Sequence, residues 1–260
     1  MSDSPLGNIS LVVVTFNEEE SIARCLSSAD GVGEIIVVDS FSTDRTVEIA
    51  RSFGAIVYQR EYISAADQKN WAIGKASKDW ILILDADESL SPQLREEVEK
   101  VVSVEGVDAY KIRRRNEFFG KVINHCGWGN DWVTRLFRRG KGRYQERMVH
   151  EKLIVDGKTS RLKNVIEHKP YKNLTDYFDK LVDYAKRSAI QMKSEDRSWF
   201  PQIFLNPPAR FIRMYLLQLG FLDGVHGFIL CTLASFSVFL KYAFLKESEK
   251  LDSGGASEEN

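Results

Sequence analysis

The stretch "WILILDADESL", residues 80–90, joins an apolar run to three acidic side chains. A short, continuous apolar run of this kind predicts a buried strand. Asp85, Asp87 and Glu88 then stand at its carboxyl end. Asp85 and Asp87 are one residue apart, so in an extended chain their side chains point the same way and can reach one site. Carboxylate oxygens are the ligands that Mg²⁺ and Mn²⁺ prefer, so the stretch predicts a divalent-cation site.

Three earlier segments repeat this pattern of an apolar strand followed by a polar turn. They are "ISLVVVTF" (9–16), "EIIVVDS" (34–40) and "AIVYQR" (55–60). The helices predicted between them include "NEEESIARCLSSA", with Asn17 as its cap, and "STDRTVEIARSFG", with Asp44 near its start. Strand and helix alternate at roughly 25-residue spacing, which predicts right-handed crossovers and a largely parallel sheet. An acid after one strand is commonly a solvated loop residue, but acids after several strands should converge on one crevice.

Composition excludes some partners and leaves others open. The chain has 260 residues, with 36 basic against 37 acidic side chains, so its overall charge predicts no nucleic-acid partner. Its three cysteines are widely spaced, which fits a reducing compartment and no metal motif. The start "MSDSPLGNIS" has no secretory pattern, so we expect the cytoplasmic side.

The rest of the chain predicts three regions. Residues 1–170 form the catalytic domain, whose part after about residue 106 is an antiparallel extension. Residues 171–246 are helical, and their apolar end predicts two helices joined near "DGVHG" at the membrane face. The uncharged stretch from Val225 to Leu240 is shorter than the roughly 20 residues that span a bilayer. A buried hairpin or a dimer contact is the alternative, and residues 247–260 are predicted to be a disordered polar tail.

Several segments together resemble a known family. They are "VVVTFNEEESIARCL", "EIIVVDSFSTDRTVEIA", "DQKNWAIGKASKDWILILDADE", "RLFRR", "VHE" and "FLDGVHGF". The sequence resembles inverting family-2 glycosyltransferases, and within them the enzymes that add a sugar to the lipopolysaccharide inner core, the β-1,4-glucosyltransferase group. The resemblance implies an α/β GT-A fold, which is Rossmann-like with a mostly parallel sheet and helices on both faces. C-terminal membrane-associated helices would complete the chain.

The resemblance also implies roles for individual residues. The donor-binding set is Thr15, Asn17, Glu18, Asp39, Lys69 and Asp85. The metal, Mg²⁺ or Mn²⁺, would be held by Asp87 with His150 nearby. The acceptor would contact Trp128, Asp131 and Arg135, while Arg138 and Arg139 either bind anions or form a solvated basic strand.

Inverting transfer needs a base that reaches the attacking hydroxyl opposite the leaving group. The resemblance favours Glu151 as this base, with Glu146 as the reserve and Glu88 as a secondary site candidate. The predicted reaction moves a hexose, glucose from UDP-glucose, onto a heptose of a lipopolysaccharide core at the cytoplasmic face of the inner membrane. A polyprenyl-linked or capsular acceptor is the close alternative. A non-catalytic nucleotide-binding or membrane scaffold is the alternative of another class. A dehydrogenase is disfavoured, because no G-x-G-x-x-G motif follows the first strand.

Overall fold

The computed structural model describes residues 4–145, 152–194 and 198–255. The chain divides into two compact units. The first unit comprises Met1–Asn116 and Asn130–Pro170, and the second comprises Glu117–Gly129 and Tyr171–Asn260. Residues 117–129, which the sequence assigns to the catalytic domain, therefore belong to the second unit.

The first half of the large sheet is parallel, as the sequence predicts. Its strands are β1 (Ile9–Thr15), β2 (Glu34–Asp39), β3 (Ile56–Gln59) and β4 (Trp80–Asp85), in the order β3-β2-β1-β4. All three pairings between them are parallel. Strands β1 and β4 are buried on both faces, because helices cover each side of the sheet.

Four helices connect and cover these strands in the first unit. They are α1 (Ile22–Ser28), α2 (Thr46–Ser52), α3 (Ala65–Ile73) and α4 (Pro92–Val101). Helices α3 and α4 are capped by the hydroxyls of Ser64 and Ser91, which accept from backbone N–H groups of the first turn. The predicted cap of the first helix is wrong, since α1 begins at Ile22 and Asn17 lies in a loop at φ 53°.

The second half of the sheet is mixed. Its strands are β5 (Glu88–Leu90), β6 (Ala109–Phe118), β7 (Lys121–Val122), β8 (Trp132–Arg138) and β11 (Thr159–His168), while β9 (Gly142–Tyr144) and β10 (Leu153–Val155) form a separate hairpin. The order continues β4-β8-β6-β11-β5. Strand β8 is antiparallel to both neighbours, β6 and β11 are parallel, and β5 is antiparallel to β11. The sheet as a whole is therefore mixed. In the described part of the chain, the strands from β6 to β11 are joined without intervening helices, and such short connections allow antiparallel pairing.

Apolar side chains form one core on each face of the sheet. The first core packs β1, β4, β6 and β11 against α1 and α4, through residues such as Leu11, Leu82 and Ile112. The second core packs the opposite face against α3, through Val12, Ile83 and Phe137. Two packed faces hold the strand ends rigidly, which is the setting that a precise site needs.

The second unit contains α5 (Leu174–Ser194), α6 (Gln202–Ile212) and α7 (Gly224–Gly255). A π-helical turn at Arg213–Leu217 and a 3-10 turn at Gly220–Asp223 separate α6 from α7, close to the predicted junction. By length and composition, one helix in the described ranges, Gly220–Ser248, is apolar enough to cross a membrane, with a mean hydropathy of 1.9. Helix α7 continues to Gly255, so residues 247–255 are helical where the sequence predicts disorder.

Candidate active site

The parallel strands bring their polar ends together at one edge of the sheet. Thr15 of β1 lies opposite Asp39 of β2, and Val14 lies opposite Asp85 of β4. Thr15 and Asp39, 24 residues apart in sequence, thus lie on neighbouring strands. Asp85, 46 residues after Asp39, ends the strand on the other side of β1. The geometry agrees with the rule that ligands bind beyond the carboxyl ends of parallel strands.

Two loops at this edge are fastened to each other by hydrogen bonds. The backbone N–H of Asn17 donates to Ser42 Oγ at 2.8 Å, and Asn17 Oδ1 accepts from the backbone N–H of Thr43 at 2.9 Å. The backbone N–H of Glu18 donates to Thr46 Oγ1 at 2.8 Å. The loops after β1 and β2 therefore form one rigid rim. Asp44 accepts from the backbone N–H of Thr46 at 3.0 Å, which is the helix-start role considered for it.

Asp39 and Thr15 differ in how their polar atoms are engaged. Asp39 is fully buried, and its carboxylate accepts from the backbone N–H of Ser42 at 2.9 Å, from the Ser42 hydroxyl and from Gln59 Nε2 at 3.2 Å. Thr15 is 6% exposed, and its buried hydroxyl has no hydrogen-bond partner among the described residues. A buried hydroxyl without a partner carries a desolvation cost, which a ligand hydrogen bond would remove.

Asp85 is the centre of an ion-pair cluster. Lys69 Nζ lies 2.9 Å from Asp85 Oδ1, and Arg135 pairs with Asp85 Oδ2. The same guanidinium contacts Glu88 Oε1 at 2.6 Å, and Glu88 Oε2 accepts from the backbone N–H of Asp85 at 3.1 Å. Glu88 is fully buried and Arg135 is 4% exposed, so the Glu88–Arg135 pair is held inside the protein.

A β-bulge explains why Arg135 points into this cluster. Tyr110 of β6 pairs with Leu136 of β8, but the next residue, Lys111, pairs with Thr134, so Arg135 has no partner in the ladder. Bulges bend a strand and redirect a side chain, and they are common next to active sites. The structure thus adds a positioning role for Arg135, which the sequence assigns to the acceptor.

The cluster continues along β6 to β11. Arg114 Nη1 lies 3.3 Å from Glu88 Oε1, and Arg114 Nη2 lies 2.8 Å from Asp131 Oδ2. Asn116 Nδ2 donates to Asp131 at 3.1 Å, and Asn116 Oδ1 lies 2.6 Å from His168 Nδ1. His168 Nε2 lies 3.5 Å from Asp87 Oδ2. A chain of polar contacts therefore runs from Lys69 to Asp87, and Asp131 is one of its links.

The charges in this cluster shift the pKa values of its members. Burial by itself raises the pKa of Asp85, but Arg135 and Lys69 together hold it well below its ordinary value, so this carboxylate stays ionised. Burial lowers the pKa of His168, but the Asp87 carboxylate outweighs that effect and raises it above its ordinary value. The Asp87 carboxylate therefore stabilises the protonated, positively charged form of the His168 imidazole.

The donor atoms at Asp87 and His168 fit the predicted cation. In the part of the chain that the structure describes, no three His, Cys, Asp or Glu side chains form a metal-binding group. Asp87 and His168 nevertheless provide a carboxylate and an imidazole, on side chains that are 19% and 14% exposed. Two protein ligands suit a divalent cation that completes its shell with phosphate oxygens and water.

Several predicted residues lie elsewhere. Glu146, His150 and Glu151 are outside the described residues, so the base and one metal ligand stay predictions. Trp128 belongs to the second unit, where its ring packs against Phe118 and Tyr171. Arg138 stacks over the Trp80 ring and donates to backbone carbonyl groups, whereas Arg139 is exposed.

His168, Arg114 and Asn116 are not among the residues predicted from the sequence. Glu88, predicted as a secondary candidate, is fully buried and pairs with Arg114 and Arg135. His168 ends β11, a strand that the sequence analysis does not assign, and β11 brings it opposite Glu88 of β5. The alternation in "RLKNVIEH" is the signal that predicts a strand ending at a histidine. Its position beside Asp87 depends on strand order, which the sequence does not reveal.

The sheet is mixed, and strands β2 and β4 of its parallel half end in the carboxylates Asp39 and Asp85. This arrangement is the GT-A fold of nucleotide-sugar transferases. A family model described as "Glycosyl transferase family 2" matches residues 10–168, more than half of the chain. The chain belongs to glycosyltransferase family 2, and it is therefore a glycosyltransferase.

Individual relatives agree with this assignment. The lipopolysaccharide core biosynthesis glycosyltransferase LpsC of Rhizobium meliloti is 27% identical over 94% of this chain and 93% of that protein. An uncharacterized glycosyltransferase of Rickettsia bellii is 29% identical over 95% of this chain and 89% of that protein.

Two solved structures are similar to this chain, each with a TM-score below 0.5. Glucosyl-3-phosphoglycerate synthase from Mycobacterium tuberculosis, in complex with Mn²⁺, UDP and phosphoglyceric acid, is 28% identical, with a TM-score of 0.36. The match covers 41% of this chain and 43% of that one, so it spans less than half of either. Staphylococcus aureus TarS 1-349 is 14% identical over 94% of this chain and 91% of that chain, with a TM-score of 0.48.

Proposed function

We propose that this protein is a metal-dependent inverting transferase that moves a hexose from a nucleotide sugar onto the inner core of lipopolysaccharide. Glucose from UDP-glucose is the donor that we expect, and a core heptose is the acceptor. The convergence of Thr15, Asp39 and Asp85 at one sheet edge, with Asp87 two residues beyond the end of β4, carries the proposal. The near-full-length similarity to a lipopolysaccharide core enzyme supports the choice of acceptor.

The donor binds along the ends of β1, β2 and β4 in this proposal. Thr15, Asn17, Glu18 and Asp39 line the nucleotide pocket, with Asp39 toward the base or ribose. The Thr15 hydroxyl has no hydrogen-bond partner in the described part of the chain, which supports this placement, since a nucleotide oxygen or N–H would satisfy it. Asp85, which Lys69 and Arg135 keep ionised, accepts hydrogen bonds from ribose or sugar hydroxyls.

Bond cleavage at the anomeric carbon leaves negative charge on the departing diphosphate. A bound divalent cation neutralises that charge without proton transfer. Asp87 and His168 would hold it, and their separation of 3.5 Å supports this pairing. On the opposite side of the sugar, Glu151 or in reserve Glu146 takes the proton of the attacking hydroxyl, which gives inversion in a single displacement.

A lipid-linked acceptor also explains the apolar second unit. Helices α6 and α7 and the turns between them expose large apolar side chains to solvent, including Phe204, Leu217, Leu222 and Val225 at 67, 76, 56 and 71%. Exposed apolar surface of this extent marks an interaction site. We assign it to the cytoplasmic face of the inner membrane, where it would hold the enzyme beside its acceptor.

Liposome flotation tests the membrane assignment. Leu217→Glu combined with Val225→Glu should move the protein from the floating to the soluble fraction, because a buried carboxylate opposes insertion. Ile63→Glu is the matched control, since Ile63 is 69% exposed in the first unit. Native protein that fails to float with liposomes would refute the assignment.

Transfer onto a defined acceptor tests the reaction. Purified protein should move labelled glucose from UDP-glucose onto core oligosaccharide from a deletion strain with Mn²⁺ present, and a chelator should stop transfer. Mass spectrometry of that strain's core should show one hexose missing. A complete core in the deletion strain, together with transfer onto a polyprenyl-linked or capsular saccharide, would identify the alternative acceptor instead.

A further inference from the structure

One face of β6 carries a row of basic side chains. Tyr110 and Ile112 are buried, whereas Lys111, Arg113 and Arg115 are exposed. Successive side chains of a strand point to opposite faces, so the three cations stand on the same face. The chain as a whole has a net charge of −1, so this positive charge is a local feature.

The neighbouring strands extend this basic surface. Arg161 of β11 lies opposite Lys111, and Trp132 of β8 lies opposite Arg113. The Arg161 guanidinium carbon is 4.8 Å from the centre of the Trp132 ring. We call these five side chains the cationic sheet face: Lys111, Arg113, Arg115, Arg161 and Trp132.

The cationic sheet face is short of negative partners. Arg115 pairs with Glu167 of β11. Across the described ranges 4–145, 152–194 and 198–255, Lys111, Arg113 and Arg161 form no ion pair. Like charges on adjacent strand positions repel each other, and a bound anion would relieve that repulsion.

The cationic sheet face lies on the side of the sheet toward which Asp85 points. Ile81 and Ile83 of β4 belong to the second core, and Asp85 continues their alternation. Ala109 of β6 belongs to the same core, and the exposed cations of β6 continue its alternation. Strand β8 alone separates β4 from β6. A saccharide whose reacting hydroxyl is close to Asp85 would therefore extend over the cationic sheet face.

We propose that the cationic sheet face binds phosphate or carboxylate groups of the saccharide acceptor and selects charged over neutral acceptors. This inference rests on the proposed function. Guanidinium groups form bidentate hydrogen bonds with phosphate and carboxylate. The Trp132 ring provides an apolar surface on which a sugar can pack. Among the described residues, this face offers one aromatic ring and no aliphatic cluster, which favours a saccharide over a lipid headgroup as the occupant.

Direct binding tests the proposal without requiring transfer. The probes are a deacylated, phosphorylated core oligosaccharide and the same oligosaccharide after chemical dephosphorylation, titrated by calorimetry at low salt. The test variant combines Lys111→Gln, Arg113→Gln and Arg161→Gln. The control combines Arg51→Gln, Lys75→Gln and Lys100→Gln, which remove the same charge from exposed positions elsewhere.

Native protein and control should bind the phosphorylated oligosaccharide more tightly than the dephosphorylated one. The test variant should bind the phosphorylated probe roughly tenfold more weakly, since each exposed charge contributes a fraction of a kcal/mol. Its affinity for the dephosphorylated probe should stay unchanged, and added salt should shrink the difference. Hydrolysis of UDP-glucose by the test variant should equal that of native protein, which shows an intact donor site.

Equal native affinity for both probes would overturn the proposal, as would native affinity in the test variant. Vesicles with and without phosphatidylglycerol examine the lipid source. A test variant that loses vesicle binding but keeps oligosaccharide binding would make the face a headgroup site and overturn the proposal. Failure of the native protein to transfer hexose would refute the proposed function, while the two binding constants would still decide this inference.

Discussion

Asp39 in the parallel half of the large sheet and Glu88 in the mixed half are held by different means. In the parallel half, Asp39 is held by the neutral donors Ser42 and Gln59. In the mixed half, Glu88 is held by Arg135 and Arg114 and is fully buried. Buried ions depend on each other, because removing one leaves its partner uncompensated. We therefore expect removal of a buried ion from the mixed half to affect folding, and removal of the Thr15 hydroxyl from the parallel half to affect ligand binding alone.

The largest expected effect is on stability in the mixed half. Arg135→Met removes a guanidinium that contacts both Asp85 and Glu88, and leaves these carboxylates with fewer cations. The free energy of unfolding should fall by about 3–5 kcal/mol, measured by urea denaturation. Arg139→Met, at an exposed position on the same segment, should change it by no more than about 0.5 kcal/mol. A loss below about 1 kcal/mol for Arg135→Met would mean that Glu88 regains solvation, and the contrast between the halves would fail.

The same contrast sets how much of the molecule the sequence predicts. The elements and strand direction of the parallel half are predicted, because each strand is an apolar run that ends in polar residues and helices separate the strands. Its strand order, β3-β2-β1-β4, is not among the predictions. The Arg135–Glu88 pair depends on the β4–β8 pairing and on a bulge at Arg135, neither of which has a local sequence pattern. The contact between His168 and Asp87 likewise depends on β11 joining β5. Long-range antiparallel register is thus the part that sequence reasoning could not supply.

The next effect lies at the junction of the two halves, where Asp87 after β4 faces His168 of β11. Asp87→Asn keeps the size of the side chain but removes its charge, so the proposed cation loses its carboxylate ligand. The value of kcat/KM for transfer should fall about 100- to 1000-fold, a loss typical of removing transition-state charge stabilisation. Steady-state kinetics over a range of Mn²⁺ concentrations would measure it.

Two controls keep this result specific to the site. Asp156→Asn changes a carboxylate that is 91% exposed on its side chain, and it should leave kinetics unchanged. The thermal midpoint of Asp87→Asn should correspond to a stability change of about 1 kcal/mol or less. Wild-type turnover in Asp87→Asn would remove Asp87 from the proposed metal pair. A large loss of stability would instead place Asp87 with the structural ions of the mixed half.

The smallest effect is expected in the parallel half, at Thr15. Thr15→Val replaces a buried hydroxyl, partnerless among the described residues, by a methyl group of similar size. Such a change is neutral or slightly stabilising for the protein alone, whereas loss of a hydrogen bond to the donor should raise the KM for UDP-glucose about fivefold. Thr46→Val is the opposite control, because the Thr46 hydroxyl accepts from Glu18 and bonds to Asp44, so stability should fall by about 1 kcal/mol. An unchanged KM in Thr15→Val would place the nucleotide elsewhere on this edge. A clear loss of stability in Thr15→Val would show that this hydroxyl is structural, and the comparison of the two halves would then fail.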